Sequence, residues 1–255
     1  YENVFDYSLG NPSVPCPEHF TKTCIDLLQT KEPVTLHGYS PTLTIPAVRK
    51  AVAESLNRRF GMDYTADHIF MTTGAAGALA HAVRCVGVPG QNIVTFAPFF
   101  PEYKPYIEGA GLTLRVTPPR CADFQIDFEA FAQLVDENTA AVLINSPNNP
   151  SGTAYSEETL QQLAAFLTAT SAKYGHHIFL ISDEPYREIS FGGRVTPYPA
   201  KFYDDTLTCY SFSKSLSVPG ERIGYVAANP RCEDAAYIVP MCGQISRGTG
   251  HNCPS

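Results

Sequence analysis

Two ionisable side chains in this sequence stand where they could take part in chemistry. Asp183 follows the predicted strand of residues 178–182, of which 178–181 are apolar. This is the carboxyl end of the strand, which is where open α/β sheets bind ligands. A carboxylate there loses hydration and is stabilised by a cation. Lys214 follows another apolar run, and in a dry pocket or beside a cation its amine becomes a nucleophile that can form a Schiff base with a carbonyl. Taken alone, each residue also fits an ordinary surface turn.

Other segments could bind an anion. Gly74, Ala75, Ala76 and Gly77 follow a predicted strand and open a helix, whose first backbone N–H groups and positive dipole end favour phosphate. Arg222 lies eight residues after Lys214 and could clamp an anion with two hydrogen bonds. Glycines in such a turn also serve turn geometry alone, and the dinucleotide pattern G-x-G-x-x-G is absent, which argues against a Rossmann cofactor.

Short apolar runs alternate with longer amphipathic ones, and this alternation predicts an α/β fold, with a mainly parallel seven-stranded sheet covered by helices on both faces. The predicted strands are residues 69–72, 92–97, 112–116, 140–145, 178–182, 207–212 and 223–228. Residues 141–144 and 178–181 are continuously apolar, which is typical of strands in the middle of a parallel sheet.

Three helices have clear patterns, and two of them have clear ends. Apolar residues recur every three or four positions over residues 45–60, with Thr44 as the expected N-cap and Gly61 as the left-handed C-terminal residue. A second helix is predicted over residues 156–174, with Ser156 as its cap. A third covers residues 18–30.

The two ends of the chain differ from its middle. Residues 1–40 are rich in proline and are predicted to form an arm that packs against something else. Residues 241–255 contain several glycines and are predicted to be a loop. Because no closing element follows, we expect the chain to be a fragment, with residues 41–255 as its main domain.

Composition excludes several classes of protein. With 44% hydrophobic and 17% charged residues, the 255-residue chain can bury a core, and its net charge of −7 without a basic cluster argues against a nucleic-acid partner. There is no run of eighteen apolar residues and no signal-peptide pattern at the N-terminus, so we expect neither a membrane span nor export. Eight cysteines without a C-x-x-C pair predict a reducing, cytoplasmic location and no metal site.

Several segments, taken in order, resemble the motifs of the fold-type I pyridoxal-phosphate aminotransferases, the aspartate aminotransferase superfamily. The matching segments are Tyr39, Thr73-Gly74-Ala75-Ala76-Gly77, Pro98-Phe99-Phe100-Pro101-Glu102-Tyr103, Asn149-Pro150-Ser151-Gly152, Asp183-Glu184-Pro185-Tyr186, Ser211-Phe212-Ser213-Lys214 and Arg222-Ile223-Gly224. The resemblance covers nearly the whole chain. It implies a pyridoxal-phosphate-binding large domain in residues 41–255, and a C-terminal small domain that this chain lacks.

The resemblance implies roles for five residues around the cofactor ring. Lys214 corresponds to the lysine that holds the cofactor and later moves the substrate proton. Asp183 corresponds to the carboxylate that keeps the pyridine nitrogen protonated, so that the ring accepts electrons. Tyr186 and Asn149 correspond to the donors to the phenolic oxygen, and Phe100 to the aromatic side chain that stacks on the ring.

The resemblance also implies a phosphate site and an assembly. The backbone N–H groups of Ala75 and Ala76, the hydroxyl of Ser211 and the guanidinium of Arg222 correspond to the phosphate ligands. Tyr39 corresponds to a tyrosine that reaches the phosphate of the other subunit, so a homodimer with shared sites is implied. The implied reaction is a ping-pong exchange of an amino group between an L-amino acid and a 2-oxo acid.

Departures from the family pattern leave the substrate open. Ala76 lacks the hydroxyl found in some relatives, and Phe100 replaces the tryptophan of aspartate-specific members. Arg247 could bind a distal substrate carboxylate in the partner's site if residues 252–254 correspond to the asparagine-proline turn of dicarboxylate-specific relatives. A β-lyase on the same scaffold and a non-catalytic regulatory module that binds the cofactor remain alternatives.

Overall fold

The computed structural model of this chain describes residues 10–250. The first nine residues of the predicted arm lie outside the described residues, and so do residues 251–255, which include the segment compared above with an asparagine-proline turn. Within the described range, seven strands form a single sheet, which confirms the predicted fold class. The strands are β1 (Ile69–Thr73), β2 (Asn92–Phe96), β3 (Thr113–Thr117), β4 (Thr139–Asn145), β5 (Phe179–Asp183), β6 (Thr206–Ser211) and β7 (Ile223–Ala228).

The order of the strands brings the candidate site residues to one edge. The sheet runs β1-β7-β6-β5-β4-β2-β3, and every neighbouring pair is parallel except the two pairs that include β7. Asp183 at the end of β5 is in register with Asn145 of β4 on one side and with Cys209 of β6 on the other. The carboxyl ends of the three central parallel strands therefore meet around Asp183.

Helices cover both faces of the sheet. Alternate residues of the central strands pack into separate clusters because successive strand side chains point to opposite faces: Ala141 and Leu143 join one cluster, whereas Val142 and Ile144 join another. The helices are α1 (Glu18–Thr30), α2 (Pro33–His37), α3 (Pro46–Phe60), α4 (Gly74–Val86), α5 (Tyr103–Glu108), α6 (Phe128–Ala132), α7 (Glu157–Tyr174), α8 (Phe212–Ser215) and α9 (Ala235–Thr249). Within the described range, none of these helices is long and apolar enough to cross a membrane.

Local signals set most of the predicted helix ends. Ser156 caps α7, and its side chain accepts a hydrogen bond from the Thr159 backbone N–H. Gly61 ends α3 with φ 66°, as predicted. The predicted Thr44 cap is wrong, because Ile45 occupies the N-cap position without a side-chain bond. Thr44 itself adopts a left-handed φ of 69° and its side chain is buried, so its hydroxyl does not meet the first helical N–H groups.

The predicted loop is also wrong for residues 241–249, which belong to α9. A Cβ on Gly243 would lie 2.8 Å from Leu43 Cδ2, so this glycine allows the helix to pack closely against the segment before α3. Ile238, Val239 and Cys242 are buried in the main cluster. Packing of one apolar face stabilises the helix despite its glycines.

The N-terminal arm packs differently from the rest. No residue of α1 or α2 is buried within the described chain. Even the apolar side chains of Ile25 and Leu28 are at least half exposed. The predicted helix over residues 18–30 is confirmed. The division into an arm over residues 1–40 and a main domain over residues 41–255 stays a prediction.

Candidate active site

Asp183 is a buried carboxylate with only one of its two oxygens paired. Its side chain is almost completely buried, and Oδ2 accepts a 2.6 Å hydrogen bond from the Tyr103 hydroxyl. Oδ1 is buried and has no hydrogen-bond partner among residues 10–250. Burial raises the pKa of Asp183 to about 7, although the Tyr103 hydrogen bond opposes this effect. The free oxygen therefore favours a ligand that brings a proton or a positive charge.

Tyr103 is a site residue to which the sequence analysis assigned no role. It begins α5 and is completely buried, and burial followed by the nearby Asp183 charge raises its pKa. The hydroxyl thus stays protonated and donates to Asp183. Phe100 lies one turn earlier, with its ring centroid 5.8 Å from that of Tyr103 at 76°. The signal available in the sequence was the place of Tyr103 at the end of the matching segment Pro98-Phe99-Phe100-Pro101-Glu102-Tyr103.

Lys214 lies in the short helix α8, directly after β6. The Ser211 side chain caps this helix by accepting from the Ser213 N–H at 3.1 Å. The Lys214 amine donates to the carbonyl of Gly10 and lies 6.0 Å from the centroid of the Tyr186 ring. Partial burial lowers the pKa of Lys214, which increases the fraction of neutral amine at a given pH.

Asn149 and Tyr186 lie next to each other, and Asn145 is a second site residue to which the sequence assigned no role. Asn149 Nδ2 donates to the Tyr186 hydroxyl at 3.3 Å. Asn145 Nδ2 donates to the Asp183 carbonyl at 2.9 Å, and its Oδ1 accepts from the Asn149 N–H at 2.6 Å. Asn145 therefore connects the ends of β4 and β5 and holds Asn149 beside Tyr186.

The start of α4 forms a cup for an anion. The first N–H groups of this thirteen-residue helix have no partner within the helix, and they belong to the turn that includes Ala75 and Ala76. Arg222 Nη2 donates to the Thr73 carbonyl at 3.3 Å. A Cβ on Gly74 would lie 2.9 Å from Arg222 Nη2. Because Gly74 has no side chain, the guanidinium lies directly over the start of α4. The charge of Arg222 and the positive end of the helix dipole together favour a phosphate at this place.

Close backbone packing explains why the third residue of the Arg222-Ile223-Gly224 motif is glycine. A Cβ on Gly224 would lie 2.8 Å from Gly74 Cα and 2.4 Å from the Tyr210 carbonyl. These are backbone atoms, which cannot rotate away. Only glycine therefore allows β7 to approach the β1–α4 turn closely enough to bring Arg222 to the cup.

Three further predicted residues are in distinct positions. The Ser211 hydroxyl, an expected phosphate ligand, is buried and donates to Ser213 Oγ at 2.8 Å. Tyr39 lies between α2 and α3 and is fully exposed. Arg247 lies in the last turn of α9, where Nη1 donates to Thr42 Oγ1 at 3.2 Å. Their roles toward phosphate, partner subunit and substrate stay predictions.

The arrangement fits pyridoxal phosphate. The unpaired Asp183 oxygen suits a protonated ring nitrogen, the α4 cup with Arg222 suits a phosphate, and Lys214 offers an amine with a lowered pKa for the carbonyl carbon. Within the described part of the chain, no group of three His, Cys, Asp or Glu side chains is placed to hold a metal ion.

Comparison with known proteins supports the same assignment. The family profile described as aminotransferase class I and II matches residues 2–247. The chain is 32% identical over 230 residues to a probable aspartate/prephenate aminotransferase of Aquifex aeolicus, and the match covers 88% of this chain and 56% of that protein. It is 34% identical over 230 residues to an S-alkyl-thiohydroximate lyase of Arabidopsis thaliana, with 86% of this chain and 47% of that protein covered.

A solved structure of an amino transferase from Eubacterium rectale superposes with a TM-score of 0.96 at 44% identity. This match covers 99% of the present chain and 64% of that chain. The chain thus spans less than two thirds of the length of these relatives.

Proposed function

The chain belongs to the class I and II aminotransferase family, and from this premise we propose that the whole protein is a pyridoxal-phosphate-dependent aminotransferase. It would exchange an amino group between an L-amino acid and a 2-oxo acid in a ping-pong reaction. The single observation that carries this proposal is the buried, unpaired Oδ1 of Asp183, which lies at the sheet edge where β4, β5 and β6 end. An unpaired buried carboxylate costs free energy on its own, and a cationic ring nitrogen would supply the missing partner.

Three residues of the site have separate tasks in the proposed reaction. The cofactor, when bound, supplies an electron sink for the bonds around the substrate Cα. Asp183 would keep the ring nitrogen of the bound cofactor protonated, and Tyr103 keeps the Asp183 carboxylate oriented by donating to Oδ2. Lys214 Nζ takes the proton from the substrate Cα as a general base, a task that its lowered pKa favours.

We propose that the active protein is a homodimer. Tyr39 is fully exposed and carries a phenol that the described chain leaves without packing neighbours. In the proposed dimer this hydroxyl donates to the phosphate bound at the α4 cup of the partner subunit. The dimer would therefore complete each phosphate site.

The test of the proposal is the site of covalent attachment. The chain is incubated with pyridoxal phosphate, reduced with borohydride and digested, and the peptides are weighed. We expect one pyridoxyl adduct, on Lys214, which Lys214→Ala abolishes and Lys104→Ala leaves unchanged, because Lys104 is exposed and bonded to Glu108. An adduct on Lys22, Lys50 or another lysine instead of Lys214 would refute the assignment.

A β-lyase is the second candidate function, and the similarity to the Arabidopsis lyase favours it. Proton removal from Cα by Lys214 precedes either outcome, so the residues described above serve both reactions. The two are separated by products in the whole protein. Release of pyruvate and ammonia from a cysteine S-conjugate indicates the lyase, whereas conversion of a 2-oxo acid to its amino acid indicates the aminotransferase.

A further inference from the structure

A buried charge network directly follows Asp183 in the chain and packs against Tyr210 and Tyr225, which belong to a different hydrophobic cluster from Tyr103. Arg187 is almost completely buried, and its Nη1 donates to Glu184 Oε2 while its Nη2 donates to the Tyr225 hydroxyl, both at 2.9 Å. Glu184 directly follows Asp183 and also accepts from Ser182 Oγ at 2.8 Å. The strand end that carries Asp183 is thus tied to Arg187.

The same network reaches the helix that carries Lys214. Arg187 Nε lies 3.5 Å from Glu188 Oε1, and the guanidinium carbon lies 4.5 Å from the centroid of the Tyr210 ring. The Tyr210 hydroxyl lies 2.8 Å from Glu188 Oε2 and 2.7 Å from Ser215 Oγ. A phenol has one proton, which goes to the carboxylate as the stronger acceptor, so the Ser215 hydroxyl donates to Tyr210.

Ser215 is the last residue of α8 and the neighbour of Lys214. Ser211 caps the other end of this four-residue helix. A helix this short has little stability of its own, so its position depends on these end contacts. The Tyr210 ring is itself held by stacking on Tyr225 at 5.0 Å and 27°, which makes Tyr210 a firm attachment point.

We propose that Tyr210 is a positioning residue for Lys214: through Ser215 it holds α8 in place and couples it, by way of Glu188 and Arg187, to the strand end that carries Asp183. This proposal rests on the function proposed above. The nucleophilic amine and the ring-binding carboxylate are then held in a constant geometry by one rigid network. Catalytic geometry of this kind is sensitive to displacements of about 1 Å.

The surroundings of the Lys214 amine supply a direct readout. It faces the Tyr186 ring from the loop after β5 and the Gly10 carbonyl from the N-terminal segment, and burial is the cause of its lowered pKa. If α8 is released, the amine gains water and its pKa returns toward the ordinary lysine value.

The experiment measures Lys214 reactivity in the chain without cofactor. Trace labelling with acetic anhydride is followed across a pH series by mass spectrometry, with the exposed Lys104 as the internal reference. In Tyr210→Phe we expect the labelling midpoint of Lys214 to rise by about one pH unit. The matched control is Tyr203→Phe, another buried tyrosine, whose hydroxyl donates to the Ile178 carbonyl at 2.8 Å in a different cluster. This control should leave the Lys214 midpoint unchanged.

Ser215→Ala provides a second, milder variant, because Ser215 is only half-buried and its replacement leaves the Tyr210 ring in place. It should shift the Lys214 midpoint in the same direction, and it decides the question if Tyr210→Phe does not fold. An unchanged midpoint in the folded variants, or an equal shift in Tyr203→Phe, would overturn the positioning role. Because no cofactor is present, this result is independent of the borohydride test of the proposed function.

Discussion

Asp183 and Glu184 are adjacent buried carboxylates that differ in how their oxygens are hydrogen-bonded. Both are completely desolvated, and burial raises the pKa of each. Both carboxylate oxygens of Glu184 accept hydrogen bonds, one from Arg187 and the other from Ser182. Asp183 receives one hydrogen bond, from Tyr103, and its other oxygen is unpaired within the described residues.

The comparison distinguishes a carboxylate with a structural role, Glu184, from one whose free oxygen is available to a ligand, Asp183. A buried ion pair with all of its hydrogen bonds formed can be maintained by the protein alone, whereas a half-paired carboxylate needs a partner that the chain does not supply. Asp183 is the last residue of β5 and Glu184 directly follows it, so the fold places one group of each kind at neighbouring positions.

The largest expected effect is on stability, in Arg187→Met. Removing the guanidinium leaves the Glu184 carboxylate buried without its cation, and breaking a buried pair in this way costs about 3–5 kcal/mol. Urea unfolding of the chain measures the loss. The control is Arg231→Met, which breaks a half-exposed pair with Asp204 and should change the unfolding free energy by less than about 1 kcal/mol. Similar losses in the two variants would contradict the contrast.

The second effect is a pH dependence that comes from Asp183. Its folded pKa of about 7 lies above the unfolded value of 3.8, so the folded chain binds more protons between these values. Its contribution to stability is therefore complete below about pH 4 and is lost as the pH rises through about 7. Asp183→Asn should flatten this part of the profile in urea unfolding without cofactor. An identical profile in wild type and variant would show that the carboxylate is not held as the structure shows.

The third effect is on turnover. Asp183→Asn should still bind the cofactor but slow proton removal from the substrate Cα by at least ~10²-fold, because a neutral amide cannot stabilise a protonated ring nitrogen. The measurement is kcat in the whole protein, with cofactor content determined separately. Near-normal turnover would mean that the unpaired oxygen of Asp183 has no catalytic task.

The smallest expected effect concerns Arg247, which, unlike the buried Arg187, is an exposed cation. Within the chain its guanidinium donates to Thr42. If it binds a distal carboxylate of the substrate, Arg247→Ala should reduce kcat/KM for glutamate by about ten- to a hundredfold and spare alanine. Thr42→Ala is the control, because it removes the intrachain bond and keeps the charge. Equal losses for both substrates, or none, would remove Arg247 from the substrate site.

Local chemistry in the sequence was sufficient for much of the fold. The runs of apolar residues located all seven strands to within about a residue at each end, and Ser156 and Gly61 marked helix ends through contacts within one turn. Asp183, Lys214 and Arg222 were candidates because of their places after apolar runs or turns, whereas the family resemblance supplied Asn149 and the roles of all four residues, which stay predictions. These features depend on neighbours in the chain, which a sequence displays directly.

Only the tertiary structure decided the roles of Tyr103, Asn145 and Arg187. The hydroxyl of Tyr103 meets a carboxylate eighty positions later, and Asn145 joins two strands across the sheet. The same holds for α9, where Gly243, one of the glycines that suggest a loop, instead allows close packing against Leu43. Arg187 pairs with Glu184 only three positions away, but its contacts with the Tyr225 hydroxyl and the Tyr210 ring join distant segments. The energy of these contacts comes from burial and pairing that exist only after the chain has folded.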